Sequence, residues 1–203
     1  MELDGETGVF LVSLARSTAE KYIIEGRLQD VPKEQLAISK TKAGAFVTIS
    51  NVINGGKELI GCIGFPYPDK PLIETIIHAS KSAATEDPRF PPLTKNELDK
   101  VVFEVSVLTP PELIQVRSPK ELPRNIDVGK DGLIVQWYFG RGLLLPQVPV
   151  EYGWDSQEFL ENACMKAGAT PDIWLVRNTK VYKFKAIIFE EVFPRGGVER
   201  KNL

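Results

Sequence analysis

Cys62 sits in the run Gly61-Cys62-Ile63-Gly64, at the end of a stretch with an extended pattern. Glycines on either side of a strand cysteine let a ligand or a second backbone come close. A nucleophilic cysteine reacts as its thiolate, and with an ordinary pKa near ~8.5 only a few per cent is ionised at neutral pH. A neighbouring cation or a turn of aimed N–H groups has to help. Lys57, His78, Lys81 and Arg89 are the cations on offer. The other reading is a small buried residue under a helix, with the glycines serving close packing alone.

The remaining candidates each carry two readings. Arg89 follows Asp87-Pro88 in a proline-bounded loop; it presents a planar guanidinium to an anion or pairs with Asp87 to hold the loop's shape. Phe90 beside it is expected to plug the core. Glu104 and Ser106 share one side of an alternating strand, where Glu104 acts as an acid or base in a site or the pair is ordinary polar alternation on a half-exposed strand. Gln147 offers an amide to a ligand or satisfies loop backbone. His78, the sole histidine, shares its helix side with Glu74, Lys81 and Ser82, which reads as a solvated face. Gly140-Arg141-Gly142 lacks the lysine-serine ending and following helix of a phosphate loop, and reads as a turn.

Composition excludes several classes. With 203 residues, 43% hydrophobic and 26% charged, the chain has the balance of a globular protein. Its net charge of −2 weighs against a dedicated nucleic-acid binder. Two cysteines fit a reducing compartment, and with one histidine the usual zinc ligand sets cannot be assembled. Glu2, Asp4 and Glu6 near the amino terminus are unlike a secretory signal, and no apolar run reaches membrane-span length. The expectation is a cytoplasmic protein without metal or cofactor.

These residues are positioned by alternating helices and hairpins. Thr7 is expected to cap a helix that loses its pattern at Glu25-Gly26; a polar connection containing Pro32 follows. Ala45–Ile53 and Glu58–Gly64 flank Asn54-Gly55-Gly56 as a hairpin, with Ile60, Cys62 and Gly64 on one face. A helix opened by Asp69 and Pro71 ends before Asp87-Pro88. Thr94/Glu97, Ser118/Glu121 and Asp155/Glu158 have capping-box spacing, and Gly168 closes the last helix. Val101–Leu108 and a long run Val181–Val192 read as strands; a second hairpin turns at Gly140-Arg141-Gly142. The class is α+β, mainly antiparallel sheet with flanking helices. One domain over residues 5–196, built as one body or two lobes, is followed by a frayed tail over 197–203.

Four segments occur in a recognisable order: Leu59-Ile60-Gly61-Cys62-Ile63-Gly64; Asp87-Pro88-Arg89-Phe90-Pro91-Pro92-Leu93; Glu104-Val105-Ser106-Val107-Leu108; and Leu145-Pro146-Gln147-Val148 with Trp154. They closely resemble the AMMECR domain family, that of the AMME chromosomal region gene-one protein. The resemblance implies an α+β fold of two lobes with a cleft between them. It also implies a pathway shared with a Memo-like protein and a radical S-adenosylmethionine protein, while roles in transcription, repair or translation have been proposed for the family. The chain departs from the family pattern at Ile60, where arginine is common.

Two functions of different class follow. One is a cysteine-centred enzyme or accessory protein acting on a small or peptide-like substrate, with Cys62 as nucleophile or redox thiol, Glu104 as acid or base, and Gly61, Gly64, Arg89, Phe90, Ser106 and Gln147 as binding residues. The other is a non-catalytic module that holds a protein partner or RNA through Arg89, Phe90 and Trp154; an RNA role requires a basic stripe and a steep salt dependence.

Overall fold

The computed structural model describes residues 3–31, 41–53 and 55–201. The connection around Pro32, the turn residue Asn54 and the end of the tail lie outside the described residues. Along the chain run α1 (Gly5–Glu25), β1 (Ala45–Ile53), β2 (Gly56–Phe65), α2 (Leu72–Thr85), β3 (Val101–Leu108), β4 (Glu112–Leu113), β5 (Gly132–Trp137), β6 (Gly140–Leu144), α3 (Gln147–Tyr152), α4 (Ser156–Lys166), β7 (Lys180–Phe184), β8 (Ala186–Glu191) and β9 (Val198–Lys201). They form two compact units, one from residues up to Leu108 and from Ile187 onward, the other from Thr109–Ala186. Each has its own sheet, ordered β2-β1-β3-β8-β9 and β4-β7-β5-β6. No helix among the described residues is long and apolar enough to cross a membrane.

In the first unit, α1 begins one turn earlier than Thr7 predicts. Asp4 has the extended backbone of an N-cap, and its carboxylate accepts the Thr7 N–H at 2.8 Å. Gly26, at φ +68°, ends the helix by donating its N–H to the Tyr22 carbonyl at 2.9 Å. Leu11, Val12 and Ala15 of α1 and Leu72, Ile73 and Ile76 of α2 pack with Val47, Ile49, Phe103, Val105 and Val107 of the sheet, all fully buried. This apolar mass supplies the main driving force for the unit. Arg16 of α1 reaches through it. Its guanidinium donates to Glu191 of β8 at 2.6 and 2.5 Å and to the Val101 carbonyl at 2.7 Å, and it lies 4.7 Å from the Phe103 ring centre.

The hairpin β1–β2 is antiparallel, and its register slips once. Ser50 faces Leu59 but Ile49 faces Gly61, so Ile60 is the extra residue of a bulge. Ile60 packs against the helix-side core while Cys62 and Gly64 face Thr48 and Phe46, which corrects the expected common face for Ile60, Cys62 and Gly64. All eight residues of β3 are buried, so Glu104 and Ser106 are not the solvated half of an alternating strand.

In the second unit α4 packs Phe159, Leu160, Ala163 and Cys164 on Leu133, Val135, Trp174 and Val181. Its Asp155/Glu158 capping box forms. The Ser118/Glu121 box does not: the Glu121 carboxylate accepts from the Arg117 N–H at 3.2 Å, and the segment Pro119–Asn125 is a 3-10 turn. The second hairpin turns at Tyr138-Phe139, one step before the expected glycines. Gly140 and Gly142 lie in β6 beneath the end of α4, where a Cβ would come within 2.3 Å of the Ala167 backbone. The run Val181–Val192 is two strands in different sheets, separated at the exposed Lys185. The tail is not frayed over Val198–Lys201, because β9 pairs antiparallel with β8.

Candidate functional site

Cys62 lies on β2, the edge strand of the first sheet, and its thiol is half-buried. An edge residue leaves N–H and C=O groups without ladder partners. Here the loop after α2 supplies them. Asp87 accepts the Cys62 N–H at 2.9 Å, and the Arg89 guanidinium donates to the Cys62 carbonyl at 3.1 Å. Asp87 and Arg89 also bind each other side on, at 3.0 Å from Nε and 2.7 Å from Nη2, and the Arg89 N–H adds a bond at 3.1 Å. Arg89 therefore holds the Asp87 carboxyl down to about 2 despite its burial. Since the Cys62 main chain points outward to this loop, Cys62 and Thr48 form a non-hydrogen-bonded cross-strand pair, the kind in which facing side chains come closest. The Thr48 hydroxyl donates to Cys62 Sγ at 3.4 Å.

The sulfur's surroundings decide its charge. Burial raises the thiol pKa above its ordinary value and outweighs the Thr48 hydrogen bond and the Arg89 charge, which lower it; Glu104 and Asp87 push it further up. Cys62 is thus a thiol at neutral pH. Of the four cations the sequence offered, Arg89 acts on it, whereas Lys57 pairs with Glu190 at 2.7 Å, Lys81 pairs with Glu86, and His78 is half-buried midway along α2.

Glu104 lies one strand beyond Thr48, which faces both it and Cys62. Its carboxyl is buried, and burial raises its pKa, with the Lys201 charge opposing and Glu190 reinforcing. Ser106 donates to it at 3.4 Å and Lys201 at 3.2 Å. Lys201 also lies 3.9 Å from Glu190, so carboxylates and ammoniums alternate from Glu104 to Lys57. A neutral, half-accessible thiol beside a hydroxyl and a protonatable carboxyl can exchange a proton and, once deprotonated, attack an electrophile.

The other expected residues fare differently. The side-chain directions of Gly61 and Gly64 are filled: a Cβ at Gly61 would lie 2.1 Å from the Ala83 carbonyl oxygen of α2, and one at Gly64 would lie 2.3 Å from the Phe46 ring. Both glycines serve packing. Phe90 is half-buried outside the main core, with the Arg89 guanidinium 5.1 Å from its ring centre. Gln147 begins α3 in the second unit, where its side-chain oxygen is buried without a hydrogen-bond partner among the described residues. Thr48 and Lys201 were missed from sequence. Thr48 is one of several β-branched residues in its strand, and Lys201 falls in a polar tail that gives no strand signal.

The chain is 52% identical over 198 residues to protein MJ0810 of Methanocaldococcus jannaschii, covering 98% of this chain and 96% of that one. A protein of Thermococcus gammatolerans is 54% identical over 199 residues, covering 98% and 97%. The crystal structure of uncharacterized protein PH0010 from Pyrococcus horikoshii superposes with a TM-score of 0.92 at 52% identity and covers both chains in full. Residues 12–189 match the AMMECR1 family, and the chain belongs to it.

Proposed function

We propose that this face of the first unit is a thiol site acting on a small or peptide-like electrophile. The Cys62 sulfur adds to a carbonyl or activated-alkene carbon, whose π electron pair moves onto the electrophile's oxygen; Thr48 holds the sulfur by its hydroxyl, and the Glu104 carboxylate takes up the thiol proton. The radical S-adenosylmethionine and Memo-like proteins implied by the family resemblance are, in this reading, sources or recipients of the substrate. The observation that carries the proposal is the engagement of the Cys62 N–H and C=O by one Asp87–Arg89 pair, which fixes a half-accessible thiol opposite Thr48. Preorganisation of this kind is what a reacting group needs.

The test uses the sign of one substitution. Glu104 raises the Cys62 pKa by its charge, so electrostatics alone make Glu104→Gln react faster with iodoacetamide at neutral pH. If Glu104 takes the proton, the same variant reacts slower, by about tenfold or more, as for a general base. A faster variant defeats the proposal.

A further inference from the structure

The second unit holds a cavity that the thiol site does not use. Its volume is about 620 Å³, and it opens between the segment following β4, the turn after Ser118 and the turn Ile173–Leu175 that leads toward β7. That volume suits a small organic molecule. Leu122, Trp174 and Val181, each more than nine-tenths buried, give it apolar walls.

Its charge is one-sided. Arg117, Arg177 and Lys180 line it, all three exposed, and no carboxylate does among the described residues. None of the three side chains has an ion-pair or hydrogen-bond partner among the described residues, unlike Arg16, Lys57, Arg89 and Lys183. Three cations around a concave surface focus a positive potential over it. Cations without counterions beside apolar walls are together the complement of one ligand type.

We propose that this cavity binds a small amphipathic anion. An apolar body of roughly drug-like size lies against Leu122, Trp174 and Val181. A carboxylate or phosphate at one end meets Arg117, Arg177 and Lys180. An arginine fork suits either anion, and lysine adds a mobile point charge.

Calorimetric titration of the whole chain with octanoate, octyl phosphate and octanol tests this, with the indole N–H resonances followed by NMR. The two anions separate a carboxylate site from a phosphate site. At least one binds, octanol binds about tenfold more weakly or worse, and the combined variant Arg117→Gln, Arg177→Gln, Lys180→Gln loses about tenfold in affinity for the anion. The Trp174 indole resonance moves on binding. Because the three replaced side chains are exposed, the variant's melting curve stays that of the parent. Octanol binding as tightly as both anions, neither anion binding, an unaffected variant, or an unmoved Trp174 resonance each overturns the proposal.

Discussion

Asp87 accepts the main-chain N–H of Cys62 at 2.9 Å with the same carboxylate that holds the Arg89 guanidinium, so one side chain fastens a loop to an edge strand. The carboxyl is almost wholly buried. Its removal reaches the loop, the strand and the thiol together.

The first prediction concerns acid. Asp87 has a folded pKa of about 2 against an ordinary 3.8, so its contribution is present above the ordinary value and lost as the pH falls through the folded one. Asp87→Asn is less stable than the parent at neutral pH by about 1–2 kcal/mol, allowing for solvent screening of the half-exposed Arg89. Urea unfolding at stepped pH should show the gap closing between about pH 4 and pH 2. A gap that stays constant would mean that the carboxylate's charge is not what stabilises the loop.

The two thiols should react in a fixed order. Cys62 is half-accessible with a raised pKa, and Cys164 is buried with its pKa pushed up to about 11. Mass spectrometry after iodoacetamide treatment should find native protein modified at Cys62, slowly at neutral pH and faster in alkali, and Cys164 modified only after unfolding. Arg89→Gln moves the Cys62 profile to higher pH, because the guanidinium lowers it. A Cys62 profile below that of a free cysteine contradicts the burial described.

Gly61→Ala tests the fit of β2 against α2. The added methyl lands on the Ala83 carbonyl oxygen, and backbone cannot rotate aside as a side chain does. Overpacking of this kind costs about 1–3 kcal/mol. Gly5→Ala, where nothing lies within 4 Å, is the control, and thermal melts of the two variants should separate clearly.

Arg16 and Glu191 form a buried pair, so removing Glu191 leaves Arg16 with only the partly exposed Glu20, at 3.2 Å, as a counter-charge. Glu191→Leu should destabilise by about 3 kcal/mol, the lower end for a broken buried pair, while the double replacement Arg16→Met, Glu191→Leu should cost markedly less. Denaturant titration of Arg16→Met, Glu191→Leu and the double variant beside the parent measures the coupling. Additive losses would show that the two side chains act independently.

The bounds of β1 were legible to the residue because Asn54-Gly55 is a strong turn signal after a β-branched run. The position of Cys62 was not. Counting back from that turn in regular register puts Gly61 opposite Thr48 and turns Cys62 toward the helices; the bulge at Ile60 reverses this. An extra residue in a strand leaves no mark in a run of ordinary β-formers. Similarly, the Glu104/Ser106 alternation could be read but not its burial, which depends on what lies over that face. Gly140 and Gly142 read as a turn because glycine serves turns and close approaches alike, and only the path of α4 distinguishes them. Lys185, one of four charged residues in a long strand-like run, gave no warning that the chain changes sheets there.

The second unit is spliced between β3 and β8, two neighbours in the first sheet. Its two ends are tied at the base: the Thr109 N–H donates to the Lys185 carbonyl at 2.9 Å, and the Lys185 N–H donates to the Thr109 hydroxyl at 2.8 Å. A ribosome delivers β3 long before β8, so a nascent chain carries Arg16 without Glu191 and β3 without β8 until the inserted segment has been made. Once the inserted segment folds, its tied base brings the two waiting ends together and shortens the search that loop closure would otherwise demand. Assembly of the sheet that carries Cys62 is thereby timed by a segment that contributes no strand to it.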